Sequence, residues 1–159
     1  MIKKLFDVIN GGTATATTHH VFRDGVFSLD APSNFVRNDR DGIFQLIEPD
    51  TDIAAITASA YAKDDGSLEE FTEYRFAQVE HFYKPVSDLQ AFESAHAVGN
   101  IQEFEGVFPD ESEPTYYVVL ALQVGDIYLS LSIVTEREHY EAHRSQYNAM
   151  LASIRADSE

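Results

Sequence analysis

The chain has 159 residues, 27 of them acidic against 11 basic, which gives a formal net charge of -16, and it contains no cysteine. A chain of this length fits one domain with its own core. The shortage of Lys and Arg argues against binding to nucleic acid or directly to an anionic membrane, because few cations are available to replace counterions. The absence of cysteine excludes disulfides, thiolate metal sites and cysteine nucleophiles.

The N-terminal region differs in composition from the rest of the chain. Residues 1–18 combine two lysines with a small polar run, GGTATATT, and lack the apolar stretch of a signal peptide. We therefore expect residues 1–18 to form a flexible N-terminal arm and residues 19–156 to form a single α+β domain. A cytoplasmic location is expected, and the oligomeric state stays open.

Residues 19–62 carry a strand pattern. Apolar residues within 21–23 and 26–29 flank Asp24 and Gly25, a pair typical of a two-residue hairpin turn because both positions require positive φ. Two further strands are predicted, at 43–47 and 53–62.

A helix is predicted from residue 67 to about residue 84. Ser67 and Glu70 form a capping box at its start, and Pro85 ends it. The apolar stripe of this helix, at helical spacing, consists of Leu68, Phe71, Phe76, Val79, Phe82 and Tyr83. Less regular strands are expected near 88–95 and 101–108.

Residues 115–134 show the clearest pattern, two strands joined by Gly125 and Asp126 in a type II′ turn. Thr135 and Glu138 form a second capping box, which predicts a final helix over 136–154. The fold class is therefore α+β: an antiparallel β-sheet packed against two main helices, at about 67–84 and 136–154. We expect both helices to cover the aliphatic face of the hairpin, formed by the pairs Val124/Ile127, Leu122/Leu129, Leu120/Leu131 and Val118/Ile133.

Residues suited to catalysis are scattered and match no catalytic or cofactor motif. His139 and His143 lie on one helix face, but Glu141 is not in the position that a zinc-hydrolase motif requires, and no third ligand is suggested. His19 and His20 are adjacent in a strand, so they point to opposite faces and cannot chelate together. Acidic clusters lie in turns and at a helix start, at 50/52, 64/65, 69/70/73 and 110/111/113. We expect no cofactor, no metal and no enzymatic activity.

A candidate binding surface lies on the hairpin face opposite the aliphatic one. Tyrosine offers amphipathic contact area at little entropic cost, which suits a surface that binds a protein. The alternative is the half-solvated outer face of an antiparallel sheet, which favours Tyr, Ser and Thr by β-propensity alone. If residues 53–62 present their hydroxyls on the same side, the candidate partner-binding residues are Thr57, Ser59, Tyr61, Tyr117, Tyr128, Ser130 and Ser132.

Four local patterns follow one another along the chain: a strand that leads to a proline (27–32), a capped helix start (67–71), a paired hairpin (116–134) and the end of the last helix (151–154). Their order resembles that of the PsbP-like sandwich, a fold shared by the photosystem subunit PsbP, a Ran-binding nuclear import factor and bacterial DcrB-like proteins. The resemblance covers about residues 20–155 and implies a binding protein and not an enzyme. Some bacterial relatives act as cytoplasmic chaperones or adaptors for secreted effectors.

These observations favour a non-catalytic bacterial protein-binding module with a protein partner, such as an adaptor, a secretion-effector chaperone or an immunity-type protein. Two alternatives stay open. An enzyme with a site assembled in space predicts a deep pocket that holds a perturbed acid or the pair His139 and His143. A small-ligand binder predicts a closed apolar cavity under the helices.

Overall fold

The structure is a computed structural model that describes residues 16–22, 26–49, 55–63, 66–106 and 114–156. A small sheet pairs β1 (Thr17–Val21) with β2 (Ser28–Pro32) in antiparallel orientation. The amide of Phe22 donates to the carbonyl of Phe27, so the register is the one that a turn at Asp24 and Gly25 predicts. The turn at 23–25 lies outside the described residues, as does most of the predicted N-terminal arm, and Thr17 and Thr18 already belong to β1.

The large sheet has eight strands and is antiparallel throughout. Its order is β3-β4-β5-β10-β9-β8-β6, and β7 also pairs with β8. The strands are β3 (Val36–Arg37), β4 (Phe44–Ile47), β5 (Ala55–Ala62), β6 (Lys84–Pro85), β7 (Gln90–Glu93), β8 (Val98–Gly106), β9 (Thr115–Val124) and β10 (Ile127–Thr135). The predicted antiparallel α+β class is confirmed.

The hairpin of β9 and β10 has the predicted register. Val124 pairs with Ile127, and the pairing continues without a slip to Tyr116 and Thr135. Gly125 has a φ of 56°, the positive value that the first turn position of a type II′ turn requires and that glycine adopts without strain.

The first helix, α1 (Leu68–Glu80), begins as predicted. The Ser67 hydroxyl accepts from the Glu70 amide, and the Glu70 carboxylate accepts from the Ser67 amide. Phe82 lies beyond the helix end and is 73% exposed, so its place in the predicted buried stripe is wrong. In the described part of the chain, no helix is both long and apolar enough to cross a membrane.

The final helical region differs from the single helix predicted over 136–154. It consists of α2 (Arg137–Ala142) and α3 (Arg144–Ala152), separated at His143, which has non-helical dihedral angles. The second capping box does not form, because Thr135 still pairs with Tyr116 as the last residue of β10. The helix instead starts after Glu136, whose side chain makes no capping hydrogen bond.

The two faces of the large sheet are covered by different elements. The aliphatic face packs against the β1–β2 hairpin and α2–α3 in one core that includes Phe27, Leu29, Tyr140, Tyr147 and Leu151. The opposite face packs against α1 in a second core of Phe76, Val79, Phe104, Val119 and Ala121. The expectation that α1 covers the aliphatic face is therefore wrong. The β1–β2 hairpin already occupies that face, and the opposite face offers α1 an apolar surface of its own.

Candidate functional site

The candidate partner-binding residues lie on one sheet face, but that face is not open. Ser59 pairs with Ser130, and Thr57 with Ser132, so the hydroxyl groups of β5 and β10 line up. However, α1 lies across them, and Ser130 and Ser132 are buried. The predicted partner-binding role does not fit these two serines, because α1 covers them and makes them inaccessible to a partner.

The tyrosines of this face have different surroundings. Tyr128 pairs with Tyr61 across the strands but is only 5% exposed, because Phe71 of α1 stacks on its ring at a centroid distance of 5.2 Å. Tyr117 is half-buried and stacks on Tyr83 at 4.6 Å. Tyr61 remains 50% exposed at the end of β5. Among the candidate residues, Tyr61 is therefore the exposed one, whereas Thr57, Ser59 and Tyr117 are half-buried.

Arg75 of α1 is central to this face and was not singled out from the sequence. Its Nε donates to the Ser130 hydroxyl, and its Nη2 donates to the Ser132 hydroxyl at 3.2 Å. The serines therefore hold the guanidinium against β10. One sequence signal was available: Arg75 lies four residues after Phe71, on the same side of a helix whose other residues at this spacing are apolar.

A cavity of about 290 Å³ opens where α1 meets the ends of β5 and β10. Phe71 contacts both Tyr61 and Tyr128, with ring centroids 5.5 Å and 5.2 Å away. The Tyr128 hydroxyl donates to the carbonyl of Gly66 at 3.1 Å, which ties the start of α1 to β10. We call this the aromatic cavity; its lining residues are Tyr61, Ala62, Glu70, Phe71, Tyr74, Arg75, Gln78 and Tyr128.

The two charged groups of the aromatic cavity are held differently. The Glu70 carboxylate accepts from the Ser67 amide at 2.9 Å, so it is engaged at the positive end of the helix dipole. Arg75 makes hydrogen bonds to neutral hydroxyls alone, and no carboxylate lies within ion-pair distance of it in the described part of the chain. The cavity therefore combines aromatic walls with a cation that forms no ion pair among the described residues, while the Glu70 carboxylate is bonded to the helix start.

A second cluster of polar groups surrounds Glu48, at the end of β4. Its Oε1 atom lies 3.0 Å from His139 Nε2 and accepts a 2.7 Å hydrogen bond from the Tyr147 hydroxyl. Burial, and then the bond to Glu48, raises the pKa of Tyr147 above its ordinary value. This cluster joins β4 to α2 and α3, so a structural role accounts for its geometry.

The pair His139 and His143 was the most conspicuous candidate metal site in the sequence. Their rings lie against each other, with centroids 4.3 Å apart, and His143 Nδ1 lies 3.0 Å from the His139 carbonyl oxygen. Among the described residues, no group of three or more histidine or acidic side chains has the arrangement needed to hold a metal ion.

The remaining histidine and acidic candidates do not form a shared site. His19 Nδ1 lies 2.8 Å from Asp30, and Arg155 lies beside both, at the surface. The hydrogen bond from His19, and then Arg155, holds the pKa of Asp30 below its usual value. Glu69, Glu70 and Glu73 lie on the exposed side of α1, whereas the clusters at 50/52, 64/65 and 110/111/113 lie outside the described residues.

No family model matches the sequence, and no curated protein sequence is significantly similar to it. Solved structures do share its fold. A crystal structure from Bacteroides thetaiotaomicron superposes with a TM-score of 0.61 at 14% identity over 87% of this chain, and the chain spans about half of that protein, 48%. The solution structure of cyanobacterial PsbP (CyanoP) from Synechocystis gives a TM-score of 0.65 at 11% identity over 93% of this chain and 96% of CyanoP. PA94, a protein of unknown function from Pseudomonas aeruginosa, gives 0.55 at 12% identity over 86% and 94%.

Structural superposition at sequence identities this low shows a shared fold and carries no information about activity. The likeness to CyanoP extends over nearly the whole of both chains. The resemblance to PsbP is thereby confirmed as a resemblance of fold, whereas a relation to DcrB-like proteins stays a prediction. The chain has a PsbP-like α+β fold.

Proposed function

We propose that the protein is a non-catalytic binding module whose protein partner docks at the rim of the aromatic cavity. The observation that carries the proposal is the exposure of two tyrosines there: Tyr61 is 50% exposed and Tyr74 is 66% exposed. Exposed large aromatic side chains beside a cavity are typical of docking surfaces, since they lose little conformational entropy on binding.

The charge around this rim suggests the chemistry of the partner. Glu69 and Glu73 lie on the exposed side of α1 near its start, within a chain whose net charge is -16. Such a field attracts a basic segment and accelerates its association at low salt. Tyrosine rings also accept Lys or Arg side chains over their faces. A basic segment of a protein partner therefore fits this rim better than an acidic one.

This docking surface differs from the one predicted from the sequence, whereas the class of function is the same. Because Ser130 and Ser132 are buried under α1, the contact area moves to Tyr61 and Tyr74. Adaptor, secretion-effector chaperone and immunity-type roles all require such a docking surface and no catalytic group. The proposal accordingly assigns no reaction to the protein.

The test is a pull-down from lysate of the native host with the wild-type protein and with a Tyr61→Ala/Tyr74→Ala variant, read by mass spectrometry at low and moderate salt. A matched control, Val36→Ala/Phe82→Ala, removes two exposed apolar side chains that do not line the cavity. We expect one stoichiometric protein that survives moderate salt, is lost with the tyrosine variant and is retained by the control. Equal retention by both variants would contradict the proposal.

A further inference from the structure

We infer, resting on the proposed function above, that Arg75 receives the C-terminal carboxylate of the partner chain inside the aromatic cavity. The first observation is how the side chain of Arg75 is held against β10. Two serine hydroxyls at successive positions of the β10 face that α1 covers orient the guanidinium, one bonded to Nε and the other to Nη2. These bonds fix the plane of the guanidinium and leave Nη1 for a carboxylate, a group that arginine binds through charge-assisted hydrogen bonds.

The remaining terminal nitrogen of Arg75 is available to a ligand. Nη1 has no hydrogen-bond partner in the described part of the chain, and it is not among the buried atoms that lack one. Because Nε and Nη2 are bonded to β10 and Arg75 lines the aromatic cavity, we place Nη1 on the cavity side of the guanidinium. A ligand oxygen can therefore reach the guanidinium without displacing either serine.

Among the described residues, Arg75 and the exposed Arg40 are the arginines with no carboxylate within ion-pair distance, and Arg75 is the half-buried one of the two. Four others each lie within 4 Å of a carboxylate: Arg37 at Asp39, Arg137 at Glu105 and Glu141, Arg144 at Glu103, and Arg155 at Asp30. Arg75 is half-buried and, within the described residues, has no such partner, although acidic side chains outnumber basic ones 27 to 11. A half-buried cation without a counter-charge is costly, and a carboxylate ligand removes that cost.

The aromatic residues that line the cavity favour one kind of carboxylate ligand. Tyr61, Phe71 and Tyr128 form an apolar aromatic wall, and the volume of about 290 Å³ lies at the small end of ligand pockets. The site therefore fits a chain end with an apolar or aromatic last residue. A phosphate is disfavoured, because one guanidinium must balance its charge beside Glu70.

A terminal carboxylate can bind to this acidic protein if the residues before it are basic, because the glutamates at the rim attract them. The last residue of the partner enters the cavity, and the basic residues before it lie along the exposed glutamates of α1, such as Glu73. Gln78 and Tyr74, which bond to each other at 3.1 Å on the rim, offer an amide and a hydroxyl to the peptide backbone. The ligand is thus a basic segment that ends in an apolar residue with a free carboxylate.

Isothermal titration with defined peptides tests this inference on the purified full chain. The probes are an acetylated Lys-Lys-Phe peptide with a free C-terminal carboxylate and the same peptide with a C-terminal amide. We expect the free acid to bind at least about tenfold more tightly than the amide, as the loss of one charge-assisted hydrogen-bonded pair implies. Arg75→Gln should abolish this preference, and Arg40→Gln, an exposed arginine with no side-chain partner in the described chain, should retain it.

If Arg75→Gln fails to fold, the inference is still tested by comparing the binding of the acid and the amide peptide to the wild-type protein. Equal affinities for the two peptides, or no binding of either at about 10 mM, overturn the inference. If the two peptides bind the wild type with equal affinity and both bind Tyr61→Ala/Tyr74→Ala more weakly, the role of Arg75 is contradicted. The proposed docking surface is then retained. If acetylated phenylalanine binds as tightly as the peptide, the site takes a small aromatic acid. The assignment of the ligand to a partner chain is then overturned.

Discussion

Phe71 stacks on Tyr128, with ring centroids 5.2 Å apart and ring planes inclined by 24°. The contact joins the first turn of α1 to the second residue of β10, so the start of the helix and the start of the strand are held together. The same two rings form a wall of the aromatic cavity. The shape of the cavity therefore depends on the stability of the first turn of α1, which Ser67 caps.

Replacing the capping serine should loosen α1. Ser67→Ala removes the acceptor of the Glu70 amide, and we expect the free energy of unfolding to fall by about 1 kcal/mol, the usual cost of losing an N-cap. Urea denaturation measures the change. Ser145→Ala, at an exposed position of α3, is the control and should change stability by less than about 0.5 kcal/mol. Equal effects of the two variants would show that the cap does not stabilise the domain.

The hydroxyl of Tyr147 should contribute measurably to stability. Tyr147→Phe keeps the ring and removes the buried donor to the Glu48 carboxylate, so we expect a loss of about 1.5–3 kcal/mol. Tyr140→Phe is a matched control. Tyr140 is also buried and stacks on Tyr147 at 5.3 Å, but its hydroxyl has no hydrogen-bond partner among the described residues. A loss in the control as large as that in Tyr147→Phe would contradict this assignment of the hydrogen bond.

Gly99 should be intolerant of any side chain. A Cβ atom at this position of β8 would lie 2.0 Å from the carbonyl oxygen of Ala121 in β9. Gly99→Ala must therefore separate the two strands, and we expect a loss of about 3 kcal/mol or more in urea denaturation. Gly42→Ala is the comparison, because its Cβ would meet no atom within 4 Å and only its positive φ of 79° opposes the change. That cost is about 1–2 kcal/mol, and the prediction requires Gly99→Ala to exceed it.

His20 should make the protein less stable at mildly acidic pH. Burial, and then the charge of Arg37, lowers the pKa of His20 from 6.5, and its Nε2 is buried with no hydrogen-bond partner among the described residues. The unfolded chain therefore binds a proton at a higher pH than the folded chain, so stability rises with pH through this range. We expect the free energy of unfolding to decrease from pH 7.5 to pH 5 in the wild type.

The variant His20→Leu isolates this contribution. Leucine cannot be protonated, so the decrease in stability between pH 7.5 and pH 5 should become smaller than in the wild type. His96→Gln, at an exposed position, should leave the pH dependence unchanged. An unaltered pH dependence in His20→Leu would mean that other groups account for the wild-type decrease.

Part of the candidate site followed from local sequence. The turn at Gly125 and Asp126 determines the register of β9 and β10, and therefore which residues share a face with Tyr128. The start of α1 also followed from local sequence, because its capping box involves side chains only three residues apart. Neither feature depends on distant parts of the chain. The broken final helix was missed because Thr135, a good cap in isolation, is held in β10 by its pairing with Tyr116.

The sequence by itself determined the antiparallel α+β class, the central hairpin and the residues on each of its faces, because strand alternation and turn geometry are local. Only the tertiary structure decided that α1 covers the tyrosine and serine face, and that Arg75 lies against Ser130 at the edge of a cavity. The physical reason is that burial of apolar surface has no direction of its own. Both faces of the sheet offered apolar surface, and competition between α1 and the β1–β2 hairpin for that surface decided the arrangement.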